Sequence, residues 1–232
     1  MKEENEKKLY LAKKFFAEKL IPAGVAKIKK SKNPATFKKT NPFLSPFQAK
    51  LMFGNTSDRS VNQAHIHLRV GSSLATIYGG KIQELCLEVF GATGSGNGFD
   101  IEFTDATDGR TKYCQLKAGP VTLSPSAPDA ITKRFFDFIK SHGKNMEYIP
   151  NSDCVVGVTF GDYSMLSSHY KKIENLGFPV IVGEEFWRRI TGEKMFYARL
   201  VEVFAEVVNE TSFDGVISSA VDEPCKKRNN KK

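Results

Sequence analysis

Asp100, Glu102, Gln115 and Lys117 are the residues of this chain whose types and spacing best suit chemistry at a single point. Between the two pairs lie residues 105–109, ending in Asp108-Gly109, and alternating stretches flank that turn at 99–104 and 111–117. The pattern predicts a β-hairpin. Successive side chains on a strand point to opposite faces, which puts Phe99, Ile101 and Phe103 on one face and Asp100, Glu102 and Thr104 on the other. On the second strand Tyr113, Gln115 and Lys117 fall together, opposite Lys112, Cys114 and Leu116. If the polar faces coincide, two carboxylates, an amide and an ammonium converge on one patch. Such a patch is either a solvated edge, as half-buried antiparallel hairpins commonly carry, or a cation site. The Gly-rich run 91–98 before it, and Lys117 just ahead of Ala118-Gly119-Pro120, favour the cation site.

The elements that must hold this hairpin follow from hydrophobic period and breakers. Residues 3–20 place Leu9, Ala12, Phe16 and Leu20 at helical spacing, with Pro22 as the stop. A Lys-rich linker is expected over 28–40, and the prolines of 41–47 favour extended backbone, giving an aromatic plug. Ser57 or Asp58 caps a helix toward Val70 with Val61, Ala64 and Leu68 inward. Gly71-Ser-Ser interrupts it, and Gly79 or Gly80 opens a second helix to Phe90, closed by Gly91, with Ile82, Leu85 and Val89 buried. Glu84 and Glu88 lie on an adjacent face of that helix. After a Ser/Thr/Pro loop at 120–128, a helix is expected over 129–141 from Ile131, Phe135, Phe138 and Ile139. Buried strands follow at 154–160 and 178–182, then helices at 184–191 and 196–208, with Trp187 in the core. No internal repeat is visible.

Composition limits the function classes. At 232 residues and 41% hydrophobic, with 18 Phe, the chain suffices for one sizeable domain or two small ones. It has no apolar run of membrane-spanning length and its N-terminus is not signal-like, so a soluble cytoplasmic protein is expected. Cys86, Cys114, Cys154 and Cys225 form no Cys-x-x-Cys pair, which removes the usual zinc and redox patterns, and Cys114 and Cys154 are expected as core thiols. His65 and His67 are two apart, as two ligands on a strand would be, but their surroundings read as helix. The net charge of +8 is uneven: residues 1–50 hold 13 Lys against 4 Glu, and five basic residues crowd 226–232, so the body between is acidic. Basic ends on an acidic body suit a polyanion approached from the ends and a metal held in the middle. The tail from Lys226 is expected to be solvated or disordered. Gly94-Ser-Gly-Asn-Gly98 precedes a strand rather than a helix, so it makes a poor phosphate cradle.

The order helix, hairpin with Asp100 and Gln-x-Lys, helix, strand, strand, helix resembles the PD-(D/E)XK nuclease superfamily. Phe99-Asp100 stands for its Pro-Asp element and Gln115-Leu116-Lys117 for its acidic-x-Lys triplet. Asn41-Pro-Phe with Ser45-Pro-Phe, Leu116-Lys-Ala-Gly119, Val155-Val-Gly-Val-Thr-Phe-Gly161 and Gly183-Glu-Glu-Phe-Trp187 resemble landmarks of a group of short type II restriction endonucleases. The resemblance implies an α/β fold: a restriction-endonuclease-like core, a central mixed β-sheet flanked by helices, with an N-terminal helical extension. Its domains would be a helical region over 1–70 for dimerisation or DNA embracing, a nuclease core over 71–225 and the basic tail 226–232.

The same resemblance implies that Asp100 is a metal ligand and Lys117 the catalytic lysine, with Mg²⁺ as cofactor. Gln115 departs from the usual Asp or Glu. An amide oxygen still ligates Mg²⁺ but brings no negative charge, so either Glu84 or Glu102 supplies the missing carboxylate or the site binds metal less tightly. The implied activity is sequence-specific hydrolysis of double-stranded DNA at a short palindromic site, leaving 5′-phosphate ends. The implied partners are a second copy of the chain and a cognate DNA methyltransferase acting in the same system. Base reading is expected from the loops 121–126 and 162–172, through Ser124, Ser126, Tyr163, His169, Lys171 and Lys172. A structure-specific repair or junction nuclease of the same fold, and an inactive DNA-binding protein, are the alternatives.

Overall fold

The computed structural model describes residues 2–30, 41–94, 96–143 and 148–229. The chain divides into two compact units, one of Met1–Phe15 with Gly79–Glu206, the other of Phe16–Tyr78 with Val207–Lys232. The first unit holds a four-stranded mixed sheet: β1 (Ile101–Thr104), β2 (Thr111–Lys117), β3 (Cys154–Val158) and β4 (Val180–Val182), in that spatial order. β1 and β2 are antiparallel, while β2, β3 and β4 run parallel. Parallel neighbours need crossovers. Here a helix over Ala127–Gly143 joins β2 to β3, and a helix over Ser168–Asn175 joins β3 to β4. Numbered along the chain with those before them, α1 (Lys2–Phe15), α2 (Ile21–Lys30), α3 (Leu44–Phe53) and α4 (Asp58–Val89), these crossovers are α5 and α6.

Alternation along the strands builds two cores. Val156, Val158, Val180 and Val182 face a cluster with Phe135 and Phe138 of α5 and Tyr170 and Ile173 of α6. The opposite face carries Ile101, Phe103, Cys114 and Val155, all buried. Phe103 there meets Phe186 of α7 (Glu184–Thr191) at a ring distance of 6.3 Å. Gly157 keeps this packing close, because a Cβ there would stand 2.6 Å from the Phe186 ring and 2.8 Å from the Cys114 sulfur. Cys154 is buried, as expected of a core thiol, and burial pushes the Cys86 thiol up to about 12.

Phe99 departs from the expected alternation. It precedes β1, stacks on Phe135 and meets Phe138 edge-on, on the α5 side, whereas Ile101 shares its face with Cys114. Gly98, at φ 81°, turns the backbone just before Phe99, so strand periodicity starts only at Ile101. Lys112 also falls on the buried face but is not apolar: at 1% exposure its ammonium meets Asp108 at 2.6 Å and Asp153 at 2.8 Å. Arg110 donates from Nε to the same Asp153 at 2.9 Å. On the other side of the hairpin tip the fully buried Asp105 pairs with Arg189 of α7 at 3.0 Å.

α1 buries Leu9, Ala12 and Phe15 within the first unit, and buried Asn5 donates to the Thr191 carbonyl at 3.3 Å. A π-helical segment, Phe16–Leu20, follows, and α2 starts at Ile21. Pro22 therefore does not stop the chain: in the first turn of α2 its missing N–H is no loss. The expected linker is thus helical up to Lys30, and 31–40 lies outside the described residues. The 41–47 segment is not extended either. Asn41 accepts from the Phe43 and Leu44 N–H groups at 2.9 and 3.2 Å, and Pro46 falls in the first turn of α3, where proline is tolerated.

The two helices expected at 57–70 and 79–90 form a single 32-residue helix, α4, through Gly71-Ser-Ser and Gly79-Gly80. A helical glycine costs roughly 1 kcal/mol against alanine, and the buried residues on both sides, from Ala64 and Ile66 to Ile82 and Leu85, outweigh that. Ser57 does cap it, accepting from the Ser60 N–H at 3.3 Å. Leu68, expected inward, is 49% exposed, since the buried line follows Asn62 and Ile66. α8 (Phe196–Glu210) and α9 (Val216–Asn229) complete the chain. Residues 226–229 of the basic tail are therefore helical, and Ala220 and Val221 of α9 pack with Ile28 and Ile66 in the second unit.

Asp153 ties the hairpin to β3, and the pair with Lys112 is nearly dry. Burial works to raise the Asp153 carboxyl, but hydrogen bonds from Arg110 and Lys112 outweigh it and hold the group below the usual carboxylate range. Its contribution is therefore present above about pH 4, the ordinary carboxylate pKa, and is lost as pH falls through the depressed folded value. Asp153→Asn is expected to lower unfolding free energy by about 3 kcal/mol in urea at pH 7, as breaking a buried pair does. The difference from the unsubstituted protein should close as pH falls through the depressed folded value.

Candidate active site

The sheet brings Asp100, Gln115 and Lys117 together at the C-terminal end of β2. Leu116 N–H donates to Asp100 Oδ2 at 2.7 Å, and the Gln115 side-chain amide donates to the same oxygen. Asp100 is fixed at its backbone as well: its N–H donates to the Cys114 carbonyl at 3.1 Å, and its carbonyl accepts from Gln83 Nε2 at 2.8 Å. Lys117 is the last residue of β2, and its carbonyl accepts from the Thr159 N–H at 3.1 Å just past β3. A cleft of about 210 Å³ opens here, lined by Gly79, Gly80 and Gln83 of α4 with Asp100, Lys117 and Thr159.

Electrostatics distinguish Lys117 from a surface lysine. Burial pushes its ammonium below the ordinary lysine range, Asp100 opposes this without cancelling it, and nearby Arg134 adds to the depression. Arg134, on α5, donates from Nη1 to the Gly98 carbonyl at 2.7 Å and to Gln115 Oε1 at 2.8 Å. A guanidinium has only donors, so it selects the amide orientation of Gln115: oxygen toward Arg134, NH₂ toward Asp100.

The other expected site residues lie as follows. Glu102 stands opposite Tyr113, two residues further from Lys117 along the hairpin, and does not line the cleft. Glu84 is half-buried, pairs with Lys81 and does not line it either. Of the α4 residues that do, Gly79, Gly80 and Gln83, the last stands four residues after the first and three after the second, a spacing that marks one helix face and was the available sequence signal. Arg134 had no such signal, since only the tertiary packing of α5 brings it to Gln115. His65 and His67 both lie on α4, where residues two apart diverge, and His67 packs near Phe53.

The expected base-reading loops meet beside the strand ends. Tyr170 hydroxyl donates to the Gly119 carbonyl at 2.7 Å, and Ser167 N–H donates to the Pro120 carbonyl at 3.0 Å. Ser124 and Ser126 are exposed with their hydroxyls 3.5 Å apart, and Lys171 and Lys172 are exposed on α6. Tyr163 is exposed but donates to Glu174 at 2.7 Å. His169 is half-buried, and its Nδ1 is enclosed without a hydrogen-bond partner.

A hard divalent cation takes oxygen ligands and keeps several waters when held by one or two carboxylates plus substrate phosphate. Asp100 fits that role, with one carboxylate oxygen free of hydrogen-bond donors among the described residues. Among the described residues no group of three or more His, Cys, Asp or Glu could hold a metal, and the Gln115 oxygen is engaged by Arg134.

A mixed four-stranded sheet flanked by helices, with an Asp and a Lys meeting where the hairpin abuts parallel strands, defines the α/β restriction-endonuclease-like class. The family model described as type II restriction endonuclease EcoO109I matches residues 12–212, and the chain belongs to that family. No curated protein matches the chain. Membership makes it a nuclease of the restriction endonuclease type, acting on DNA. No helix among the described residues is long and apolar enough to cross a membrane.

Because the folded state penalises the Lys117 charge, Lys117→Met is expected to raise stability at pH 7, by about 1 kcal/mol, as substitutions that relieve strained active sites do. The penalty is complete while Lys117 is protonated in both states. It fades as pH rises from the depressed folded value toward the ordinary lysine pKa of about 10.4, so urea midpoints of the two proteins should converge there.

Proposed function

We propose that this chain is a Mg²⁺-dependent type II site-specific deoxyribonuclease, cutting both strands of a short palindromic site to leave 5′-phosphates. The observation that carries the reading is the Asp100–Lys117 juxtaposition at the β2 end of the cleft. Bound Mg²⁺ would supply a water of lowered pKa and relieve phosphate charge. Asp100 would hold it, with substrate phosphate oxygens completing the shell. Gln83, Gln115 and the Leu116 N–H keep the Asp100 carboxylate aimed at the cleft. Lys117 orients the attacking water and stabilises charge that develops on the phosphate. Ser124, Ser126, His169, Lys171 and Lys172, on loops joined through Gly119 and Pro120, support base and backbone contacts beside the scissile phosphate.

One such cleft serves one strand, so cutting both strands of a palindrome calls for two copies related by a two-fold axis. The apolar stripe of α1 is buried in its own unit. The exposed apolar side chains that support a second copy are Phe43, just before α3, and Phe47 and Leu51 on it, 86%, 63% and 74% exposed, while Ser45 and Ala49 face inward. Burying such side chains yields about 1.5–3 kcal/mol each. A cognate methyltransferase would protect host DNA, and the reading places the protein in the cytoplasm.

Unmethylated phage DNA incubated with Mg²⁺ is expected to give discrete fragments with 5′-phosphates, and none with chelator. A smear, structure-dependent nicking or metal-independent cutting would overturn the reading. Asp100→Asn and Lys117→Met are each expected to lower cleavage by about 10²–10³-fold while retaining DNA binding. Phe47→Asp with Leu51→Asp is expected to halve the mass seen in sedimentation equilibrium; an unchanged mass would remove α3 from the interface.

A further inference from the structure

Arg134 has a use that Gln115 does not exhaust. One nitrogen, Nη1, is spent on Gly98 and Gln115. The guanidinium has five N–H donors, and Nε and Nη2 have no hydrogen-bond partner among the described residues, on a side chain that is exposed. These open donors lie at a second cleft, of about 450 Å³, lined by Asn97, Lys133, Arg134, Asp137 and Ser141. Lys133 is already paired there with Asp137 at 3.2 Å, so the two cancel. The charge left in the second cleft is that of Arg134, and the side chain also forms the link to the catalytic cleft, through Gln115 to Asp100.

The charge balance at the strand ends points the same way. Asp100 contributes one negative charge, Lys117 and Arg134 two positive ones, and Gln115 none. A site with net positive charge before any metal binds attracts phosphate on its own. A planar fork with free N–H groups suits phosphate oxygens better than a lysine would.

Resting on the nuclease reading, we infer that Arg134 binds a phosphate flanking the scissile one on the cut strand, through Nε and Nη2. Through Nη1 the same guanidinium orients Gln115, and Gln115 orients Asp100. Arg134 is thus a backbone-binding and positioning residue, and it transmits the register of the strand to the carboxylate that serves the chemistry. It carries no base specificity, because phosphates are alike along the strand.

The test uses a fluorescent duplex bearing the site at which the protein cuts plasmid DNA, titrated in chelator at several salt concentrations. Each phosphate contact contributes about 0.9 to the slope of log affinity against log salt. Arg134→Ala is expected to reduce that slope by about 0.9 and to lower kcat in Mg²⁺ at least tenfold. Arg134→Lys keeps the charge but not the fork, so it should retain the slope and still lose kcat. An unchanged slope in Arg134→Ala, or full turnover in Arg134→Lys, overturns the inference while leaving the nuclease reading intact. A full-length protein that neither cuts nor binds DNA overturns both.

Discussion

The hydrogen bond from the Leu116 N–H to Asp100 Oδ2 is the contact on which the candidate site depends. Asp100 stands outside the regular ladder, before β1 begins, so pairing alone does not place its side chain. By accepting a backbone donor of β2, the carboxylate takes its position from a strand held in turn by parallel pairing to β3. Lys117 follows on the same strand. The position of the carboxylate relative to β2, the strand from which Lys117 projects, is therefore governed by main-chain geometry, the stiffest part of the fold, rather than by its own rotamer alone. Such preorganisation is what charge stabilisation in a cleft requires.

Charge is handled differently at the two ends of the hairpin. At the tip, Lys112 is almost wholly enclosed and its charge is answered by Asp108 and Asp153, with Arg110 joining the network. At the site, positive charge exceeds negative, and Lys117 is left with a depressed pKa. Neutralised charge at the tip contributes rigidity. Unbalanced charge at the other end is a stability cost of the kind that persists where a ligand supplies the missing sign.

Much of this was legible in the sequence, and the exceptions have identifiable causes. The hairpin, its Asp-Gly turn, the helix over 184–191 and the buried Trp187 follow from period and turn chemistry, which are local. Gly71-Ser-Ser and Pro22 misled because glycine and proline penalties are small beside the burial available in α4 and vanish in a first helical turn. Lys112 sits on an apolar face because its partners come from residues 4 and 41 positions away, and no face pattern encodes the second of these. Within the candidate site, Asp100, Gln115 and Lys117 could be read from spacing on one hairpin. Gln83 was marked only by its helical spacing from Gly79 and Gly80, and Arg134 by nothing, since each arrives on a separate helix whose rotation is set by packing.

The single tryptophan offers an optical view of this arrangement. Trp187 is 1% exposed, meets Phe90 and Phe186 edge-on, and donates its indole N–H to the Thr159 carbonyl at 2.9 Å. Thr159 lines the cleft, and its own N–H holds the Lys117 carbonyl. The chain's one indole fluorophore is thus coupled through a single residue to the end of β2. Its emission wavelength is a native, label-free gauge of whether that strand end stays closed, free of background from any other indole.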